Sequence, residues 1–205
     1  MTLLRTLILV LVGSKKESYL SLAKKMEDGE LVEKIIASKD SQLFGILYDR
    51  YSKKVFNKCY SFAKNEEEAK DLTQDIFLKV FLKLHLFNGS KASFSTWLFV
   101  LTYNFCTNYV NRDKKKKNRD QRMDDHEFHL AEETVNIEQI NALDADRLTK
   151  ALELLPPEDR SLLLLKYQDD VPIKELQVSF GVGESAIKMR LNRAKAKVVK
   201  IYDTL

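Results

Sequence analysis

Apolar residues recur at intervals of three and four along most of the chain, and this spacing constrains the fold more than any other feature. Residues 43–62 carry one apolar side chain per helical turn, and residues 69–84 repeat the pattern. Only six glycines and three prolines occur in 205 residues. A β-sandwich or barrel needs both residues for its many turns, and a nucleotide-binding α/β fold needs glycine-rich loops. Spacing and composition together predict an all-α protein.

Charge divides this helical chain into two parts. Residues 111–122 hold seven cations and two acids, whereas residues 124–146 hold eight acids and no lysine or arginine. A segment so poor in apolar side chains cannot build a core of its own. We therefore predict two small helical domains joined by a charged linker, with the domains at residues 26–112 and 138–205 and the linker at residues 113–137.

The first 25 residues stand apart from these domains. Leu7–Val12 is apolar, but a membrane span needs about 20 such residues, and no signal-peptidase site follows. A helical pattern follows Met26, so a misplaced start codon is the preferred explanation of residues 1–25, with a secreted protein or an undirected tail as alternatives. Cys59 and Cys106 lie among apolar residues. We expect them to be buried reduced thiols of a cytoplasmic protein.

The C-terminal residues have the pattern of a helix-turn-helix. A short helix over residues 172–180 ends at Gly181, and a last helix runs from about Glu184 to Tyr202. Residues 185–201 hold six cations and no acid, which favours a DNA-binding helix over a solvated surface helix. The inward stripe of the last helix is predicted to be Ile187, Leu191, Ala194 and Val198.

Four segments resemble, in the same order, the conserved motifs of sigma-70 family transcription initiation factors. Glu67–Phe77 resembles the family's EDAxDLxQExF helix, and Phe94–Asn104 resembles its FxxWLxxIAxN segment. Leu154–Arg160 resembles the LPxxxR entry to the fourth conserved region, and residues 175–194 resemble its helix-turn-helix. With no further sigma domain visible, the chain is similar to the small extracytoplasmic-function (ECF) type.

The resemblance implies a factor that binds core RNA polymerase through its β and β′ subunits and directs promoter recognition, DNA melting and transcription initiation. It implies that residues 26–112 are a region 2-like domain for the polymerase and the −10 element. Residues 138–205 are then a region 4-like domain for the −35 element. An anti-sigma factor is the expected regulator, and no catalytic activity, cofactor or metal is expected.

The resemblance also assigns individual residues. Asp71, Gln74 and Asp75 share one helix face, which the family presents to the clamp helices of β′. The −10 element is assigned to an aromatic loop, the next helix and a basic tract, namely Phe87, Asn88, Lys91, Phe94, Trp97, Asn104, Arg112, Lys114 and Lys115. The −35 element is assigned to the last helix, namely Ser185, Lys188, Met189, Arg190, Asn192 and Arg193. Read without the resemblance, these residues could also be a solvated acidic face, core aromatics and a solvated basic tether.

The helix-turn-helix departs from the family pattern at three places. Gln177 stands where a small alanine usually packs between the two helices, and Glu184 places a carboxylate near the expected phosphates. Met189 occupies a position at which a polar residue commonly contacts bases.

Two other functions remain open at this stage. One is a stand-alone helix-turn-helix transcriptional regulator whose first domain dimerises or senses a ligand. The other is an enzyme such as a helical metal-dependent nuclease, which needs a convergent carboxylate and histidine cluster. His126 and His129 lie beside acids, but no cysteine or third histidine accompanies them.

Overall fold

The computed structural model describes residues 19–117 and 144–205. The secondary structure in these two ranges is helical throughout, which confirms the predicted all-α class. The chain divides into two compact units, Met1–Phe94 and Ser95–Leu205. This boundary falls inside a helix, whereas most of the linker predicted at residues 113–137 lies outside the described residues.

Residues 19–23 of the first unit are helical, and three α-helices and a 3-10 turn follow them. They are α1 (Asp28–Ser38), α2 (Ser41–Tyr60), α3 (Glu66–Lys83) and the turn Leu84–Leu86. Helix α2 packs along α3, and α1 packs against α2. The predicted apolar stripes form this core: Leu43, Leu47, Tyr51, Val55 and Cys59 of α2 and Ala69, Leu72, Ile76 and Val80 of α3 are all buried. Removal of this apolar surface from water stabilises the pair of helices.

Side chains placed just before α2 and α3 determine where these helices begin. Asp40 accepts a hydrogen bond from the backbone N–H of Gln42 at 2.8 Å, and Asn65 accepts one from that of Glu68 at 2.8 Å. The Glu68 carboxylate turns back as in a capping box, but it accepts from the N–H of Lys64, at 3.1 Å. These bonds satisfy donors that the first turn of a helix leaves without partners.

Arg50 ties the residues that precede α1 into the first unit. Its guanidinium pairs with Asp28 at 2.5 Å. It also donates hydrogen bonds to three backbone carbonyls, those of Ala23 (3.4 Å), Lys24 (2.9 Å) and Met26 (2.8 Å). The side chain of Ala23 is fully buried. Residues 19–25 therefore belong to the folded unit, which corrects the prediction that they are part of a separate tail.

The second unit contains most of α4 and four further α-helices. They are α4 (Phe94–Lys117), α5 (Ala145–Leu154), α6 (Pro157–Leu163), α7 (Ile173–Phe180) and α8 (Glu184–Thr204). Helices α5, α6 and α7 all pack against α8. Helix α4 continues eight residues beyond Tyr109, where the apolar pattern ends, because lysine and arginine are themselves good helix formers.

Helices α7 and α8 form the predicted helix-turn-helix. Gly181 ends α7 with a left-handed φ of 64°, a conformation that glycine adopts without strain. Its backbone N–H donates to the carbonyl of Gln177. The buried residues of α8 are the four that the sequence predicted, Ile187, Leu191, Ala194 and Val198.

The described residues also bear on three further features: the state of the cysteines, membrane-spanning helices and metal-binding groups. Cys59 and Cys106 are both buried and neither forms a disulfide. In residues 19–117 and 144–205, no helix has the length and apolar character needed to cross a membrane. The same ranges contain no group of histidine, cysteine and acidic residues arranged to hold a metal ion. His126, His129 and the acidic part of the linker lie outside them.

Candidate protein- and nucleic-acid-binding surfaces

One exposed stripe runs along α3 and combines acidic with apolar side chains. Asp71 and Asp75 lie one turn apart, and Leu78 and Leu82 continue the same face over the next two turns. The two leucines are 60% and 62% exposed. Neither carboxylate forms an ion pair with a residue that the structure describes. The stripe therefore presents negative charge that no neighbour neutralises, followed by apolar surface; the sequence prediction had included only its acidic half.

An open groove of about 290 Å³ lies between α2 and α3 beside this stripe. Gln74, the third residue predicted to contact the polymerase, lines it. The other lining residues are Lys70 and Thr73 of α3 and Tyr48, Ser52, Lys53 and Phe56 of α2. The groove thus adds cationic and aromatic side chains to a surface whose adjacent stripe is acidic.

A row of aromatic rings supports the loop that precedes α4. Phe87 packs edge-on against Phe94 with ring centroids 5.6 Å apart, and Phe94 packs edge-on against Tyr51 at 5.5 Å. Phe94 is only 4% exposed, whereas Phe87 is half-buried. Phe94 was predicted to contact the −10 element, but its burial places it beneath the loop as a support and leaves little of its ring for a ligand.

Asn88 shapes the exposed tip of the same loop. Its side-chain oxygen accepts hydrogen bonds from the backbone N–H and the hydroxyl of Ser90, at 2.9 and 2.6 Å. The backbone N–H of Lys91 donates to the Asn88 carbonyl at 3.1 Å. The tip is thus a defined turn, and Asn88 and Lys91, both predicted to contact DNA, are exposed on it.

Helix α4 carries the remaining residues predicted for the −10 element. Asn104, Arg112 and Lys115 are exposed and lie on one face. Asn108, which the sequence prediction missed, lies on that face one turn from both Asn104 and Arg112 and is also exposed. Its spacing from Asn104 was the available signal. Trp97 is half-buried, and the side chain of Lys114 lies outside the described part of the chain.

The neighbouring face of α4 packs within the second unit through polar contacts. The hydroxyl of Tyr103 donates to Asp169 at 3.1 Å. Further contacts join the Thr107 and Ser161 hydroxyls at 2.9 Å and the Asn111 amide to Glu158 at 2.8 Å. Burial raises the pKa of Tyr103 far above its usual range, and the negative charge of Asp169 raises it further. One face of α4 therefore packs against residues 158–169 of the second unit, while the adjacent face is exposed.

Helix α8 exposes all six residues predicted to contact the −35 element: Ser185, Lys188, Met189, Arg190, Asn192 and Arg193. Two lysines further along the helix have structural partners. Lys197 pairs with Asp159 of α6 at 2.6 Å, and Lys195 lies 4.9 Å above the ring centroid of Tyr167. The cations of the first three turns are thus more available to a ligand than these two.

The first turn of α8 contains an ion pair that the sequence did not predict. The Glu184 carboxylate holds the Lys188 ammonium at 2.7 Å, with both side chains more than half exposed. The side chain of Gln177 in α7 lies close to the same carboxylate. The hydrogen bond from Lys188, its positive charge and the Gln177 contact hold the pKa of Glu184 below its usual value. Lys188, which was predicted to contact DNA, therefore has an anionic neighbour on the surface predicted to face the DNA.

Comparison with known proteins identifies both units. The family model "Sigma-70 region 2" matches residues 47–116, and "Sigma-70, region 4" matches residues 145–198. The ECF RNA polymerase sigma factor SigW of Bacillus subtilis is 24% identical over 180 residues, which cover 78% of this chain and 89% of SigW. The RNA polymerase sigma-H factor of Pseudomonas aeruginosa is 25% identical over 186 residues, which cover 87% of this chain and 95% of that factor.

Two solved structures share the fold. CnrH, in complex with the cytosolic domain of CnrY, matches with a TM-score of 0.57 and 21% identity over 86% of this chain and 97% of CnrH. The sigma factor RpoE, in complex with the anti-sigma factor NepR from Bartonella quintana, matches with a TM-score of 0.54 and 20% identity over 78% of this chain and 96% of that one. Regions 2 and 4 occur here in family order and together cover more than half of the chain. The chain therefore belongs to the sigma-70 family, as a sigma factor of the ECF type.

Proposed function

We propose that this sigma factor binds core RNA polymerase and recognises the −10 element with its region 2-like part, residues 26–112, and recognises the −35 element with its region 4-like part, residues 138–205. The observation that carries the polymerase assignment is the exposed stripe of α3. The residue assignments for the promoter rest on the exposed loop tip before α4, the polar face of α4 and the first half of α8.

The α3 stripe suits a protein partner that has basic and apolar residues on one surface. Asp71 and Asp75 attract cations at long range and select the partner, because exposed charges contribute more to association rate and specificity than to affinity. Leu78 and Leu82 supply apolar area, and its burial contributes affinity. We propose that the clamp helices of the polymerase β′ subunit occupy this stripe, and that the β subunit completes the polymerase interface.

The two −10 surfaces have different roles. Arg112 and Lys115 on α4 neutralise backbone phosphates, which adds affinity without sequence information. Asn88 and Lys91 at the loop tip, together with Asn104, contact bases or the sugar–phosphate chain of the opened strand. Stacking of an unpaired base on an aromatic side chain contributes about 1–3 kcal/mol, and the half-exposed rings of Phe87 and Trp97 are the candidates for such contacts.

Regulation by an anti-sigma factor is part of this proposal. CnrH is bound to the cytosolic domain of CnrY and RpoE to the anti-sigma factor NepR. The exposed apolar half of the α3 stripe is the kind of surface that a protein partner covers. We assign no catalytic activity and no cofactor to the chain, and we place its work with the polymerase in the cytoplasm.

Charge reversal on the stripe tests the polymerase assignment. The double variant Asp71→Lys with Asp75→Lys should lose core-polymerase binding at least tenfold while retaining its helical circular dichroism, because like charges then face the basic partner surface. The control is Glu33→Lys with Asp49→Lys, which makes the same change in net charge at two exposed acids of α1 and α2.

Both variants are compared in pull-downs with core polymerase at several salt concentrations. Undiminished capture by the folded stripe variant would refute the assignment. Equal loss in the control variant would mean that net charge, and not the stripe, determines binding.

A further inference from the structure

Two of the positions at which the helix-turn-helix departs from the family pattern contact each other. Gln177 is on α7 and Glu184 is the first residue of α8, and the side chain of Gln177 lies close to the Glu184 carboxylate. The same carboxylate holds Lys188 at 2.7 Å. A polar residue of one helix therefore lies beside a charged pair at the start of the next.

The pair lies where a helix-turn-helix contacts base edges. The N-terminal residues of the second helix enter the major groove in this motif. Glu184 and Lys188 are one turn apart, and Ser185, Met189 and Asn192 continue the same exposed surface. The Glu184 side chain is more than half exposed, so its carboxylate is accessible to a ligand in the groove.

The two charges match the edges of one kind of base pair. In the major groove, cytosine presents its N4 amino group as a donor and guanine presents N7 and O6 as acceptors. A carboxylate accepts from the cytosine amino group, and an ammonium donates to guanine. An A·T pair also presents an amino donor and two acceptors, but it adds the thymine methyl group to the groove.

We propose that Glu184 and Lys188, positioned by Gln177, recognise a C·G base pair in the −35 element, with Glu184 on cytosine and Lys188 on guanine. The inference rests on the proposed function and adds the base preference of one position to it. An exposed ion pair at this spacing contributes little to stability, so Lys188 can exchange its bond to Glu184 for one to guanine at low cost.

The carboxylate also disfavours incorrect DNA. Where the base pair presents no amino group within reach, Glu184 finds no donor on the DNA and lies near the phosphates of the groove walls. Repulsion of this kind produces specificity by weakening incorrect complexes, in addition to strengthening the correct one. Removal of the charge should therefore increase binding to unrelated duplexes while it weakens discrimination at one base pair.

The test uses the full-length chain bound to core polymerase. A promoter mapped with the wild-type holoenzyme is prepared with its −35 hexamer randomised, and the transcribed sequences are counted. The variants are Glu184→Gln, which keeps the shape and removes the charge, and Gln177→Ala, which removes the positioning contact. Asp203→Asn is the control, since it removes one exposed charge at the opposite end of α8. Thermal unfolding of each variant checks that the helix-turn-helix is intact.

Wild-type holoenzyme should prefer cytosine over each other base by at least about fivefold at one −35 position, the lower limit of a good base contact. Glu184→Gln should abolish that preference or change it towards adenine, which glutamine contacts through N6 and N7, and leave the other positions unchanged. Gln177→Ala should reduce the same preference, and Asp203→Asn should not alter it.

The inference is overturned if no position prefers cytosine, if Glu184→Gln leaves the profile unchanged, or if it weakens all positions equally, which would indicate a structural role alone. Failure of the proposed function looks different. In that case the wild-type chain with core polymerase produces no promoter-directed transcripts at all, and both proposals are wrong.

Discussion

Lys188 and Lys197 lie on the same helix, and their partners give them different roles. Lys188 is exposed and bonded only within α8, to Glu184, whereas Lys197 joins α8 to α6 through Asp159. The Lys197–Asp159 pair is partly buried, with side chains 32% and 21% exposed. Lys197 therefore makes a contact that holds the second unit together. Residue type alone does not separate these roles.

Tyr103 makes the stability of the second unit depend on pH in the alkaline range. Burial raises its pKa in the folded state above the ordinary value near 10. Below pH 10 both states keep the phenol proton. Above pH 10 the unfolded chain releases it while folded Tyr103 retains it, so the unfolded state binds fewer protons and stability falls as the pH rises.

The variant Tyr103→Phe separates this effect from the hydrogen bond to Asp169. At pH 8 the variant should be less stable by about 1 kcal/mol, because the bond is lost. Above pH 10 the deficit should shrink by up to about 1.4 kcal/mol per pH unit. Urea unfolding at pH 8, 10 and 11 measures the difference, with Tyr167→Phe as the control at an exposed tyrosine. A deficit that stays constant over this range would contradict the account.

At the scale of helices, replacement of Gly45 and of Gly181 by alanine should change the stability of the protein in opposite directions. Gly45 lies within α2, and a Cβ there meets no atom within 4 Å, so Gly45→Ala should stabilise by about 0.5–1 kcal/mol. Gly181 has a left-handed φ of 64°, so Gly181→Ala should destabilise by about 1 kcal/mol. Thermal unfolding of the two variants beside wild type tests this, and a change of the same sign in both would refute it.

Two truncations test whether residues 19–25 are part of the fold. Removal of residues 1–25 deletes buried Ala23 and two of the carbonyls that accept from Arg50, those of Ala23 and Lys24. Hydrogen bonds to a charged group contribute about 1.5–3 kcal/mol, so this protein should be less stable by about 2 kcal/mol than one that lacks residues 1–18 only. Equal unfolding temperatures of the two truncated proteins would show that these contacts are dispensable.

The helices themselves were predictable because their causes are local. Caps at Asp40 and Asn65 and apolar stripes such as those of α2 and α8 are readable in a few adjacent residues. The extension of α4 to Lys117 was not, since a charged helix has no apolar stripe to reveal it. The Arg50 contacts and the Tyr103–Asp169 bond join residues 22–66 positions apart. Such contacts leave no periodic signal in the sequence.

The predicted surfaces also include features that local sequence reveals and features that depend on tertiary packing. The exposure of Asp71, Asp75 and the outward residues of α8 followed from helical spacing once the buried stripe was known. The burial of Phe94 could not be inferred, because an aromatic residue beside a loop suits either a core or a stacking surface. The Gln177–Glu184 contact depends on how α7 and α8 pack, which the sequence does not specify.

At the scale of the whole molecule, the central claim is that two separate units supply different surfaces to one task. The first unit provides the stripe that we propose to bind core polymerase, and the loop tip before α4. The second provides the exposed face of α4 and the helix-turn-helix. Neither unit alone is expected to direct transcription, because polymerase binding and −35 recognition reside on different units.

The most direct measurement is transcription in vitro from genomic DNA of the source organism with core polymerase, with and without this protein, followed by mapping of RNA 5′ ends. We expect discrete new 5′ ends that share −35 and −10 elements, and their loss with Asp71→Lys and Asp75→Lys. We also expect the pure protein to bind the same promoters only weakly. If the protein alone bound a discrete operator tightly and added no new 5′ ends to those of core polymerase, the chain would act as a stand-alone regulator and the account would be wrong.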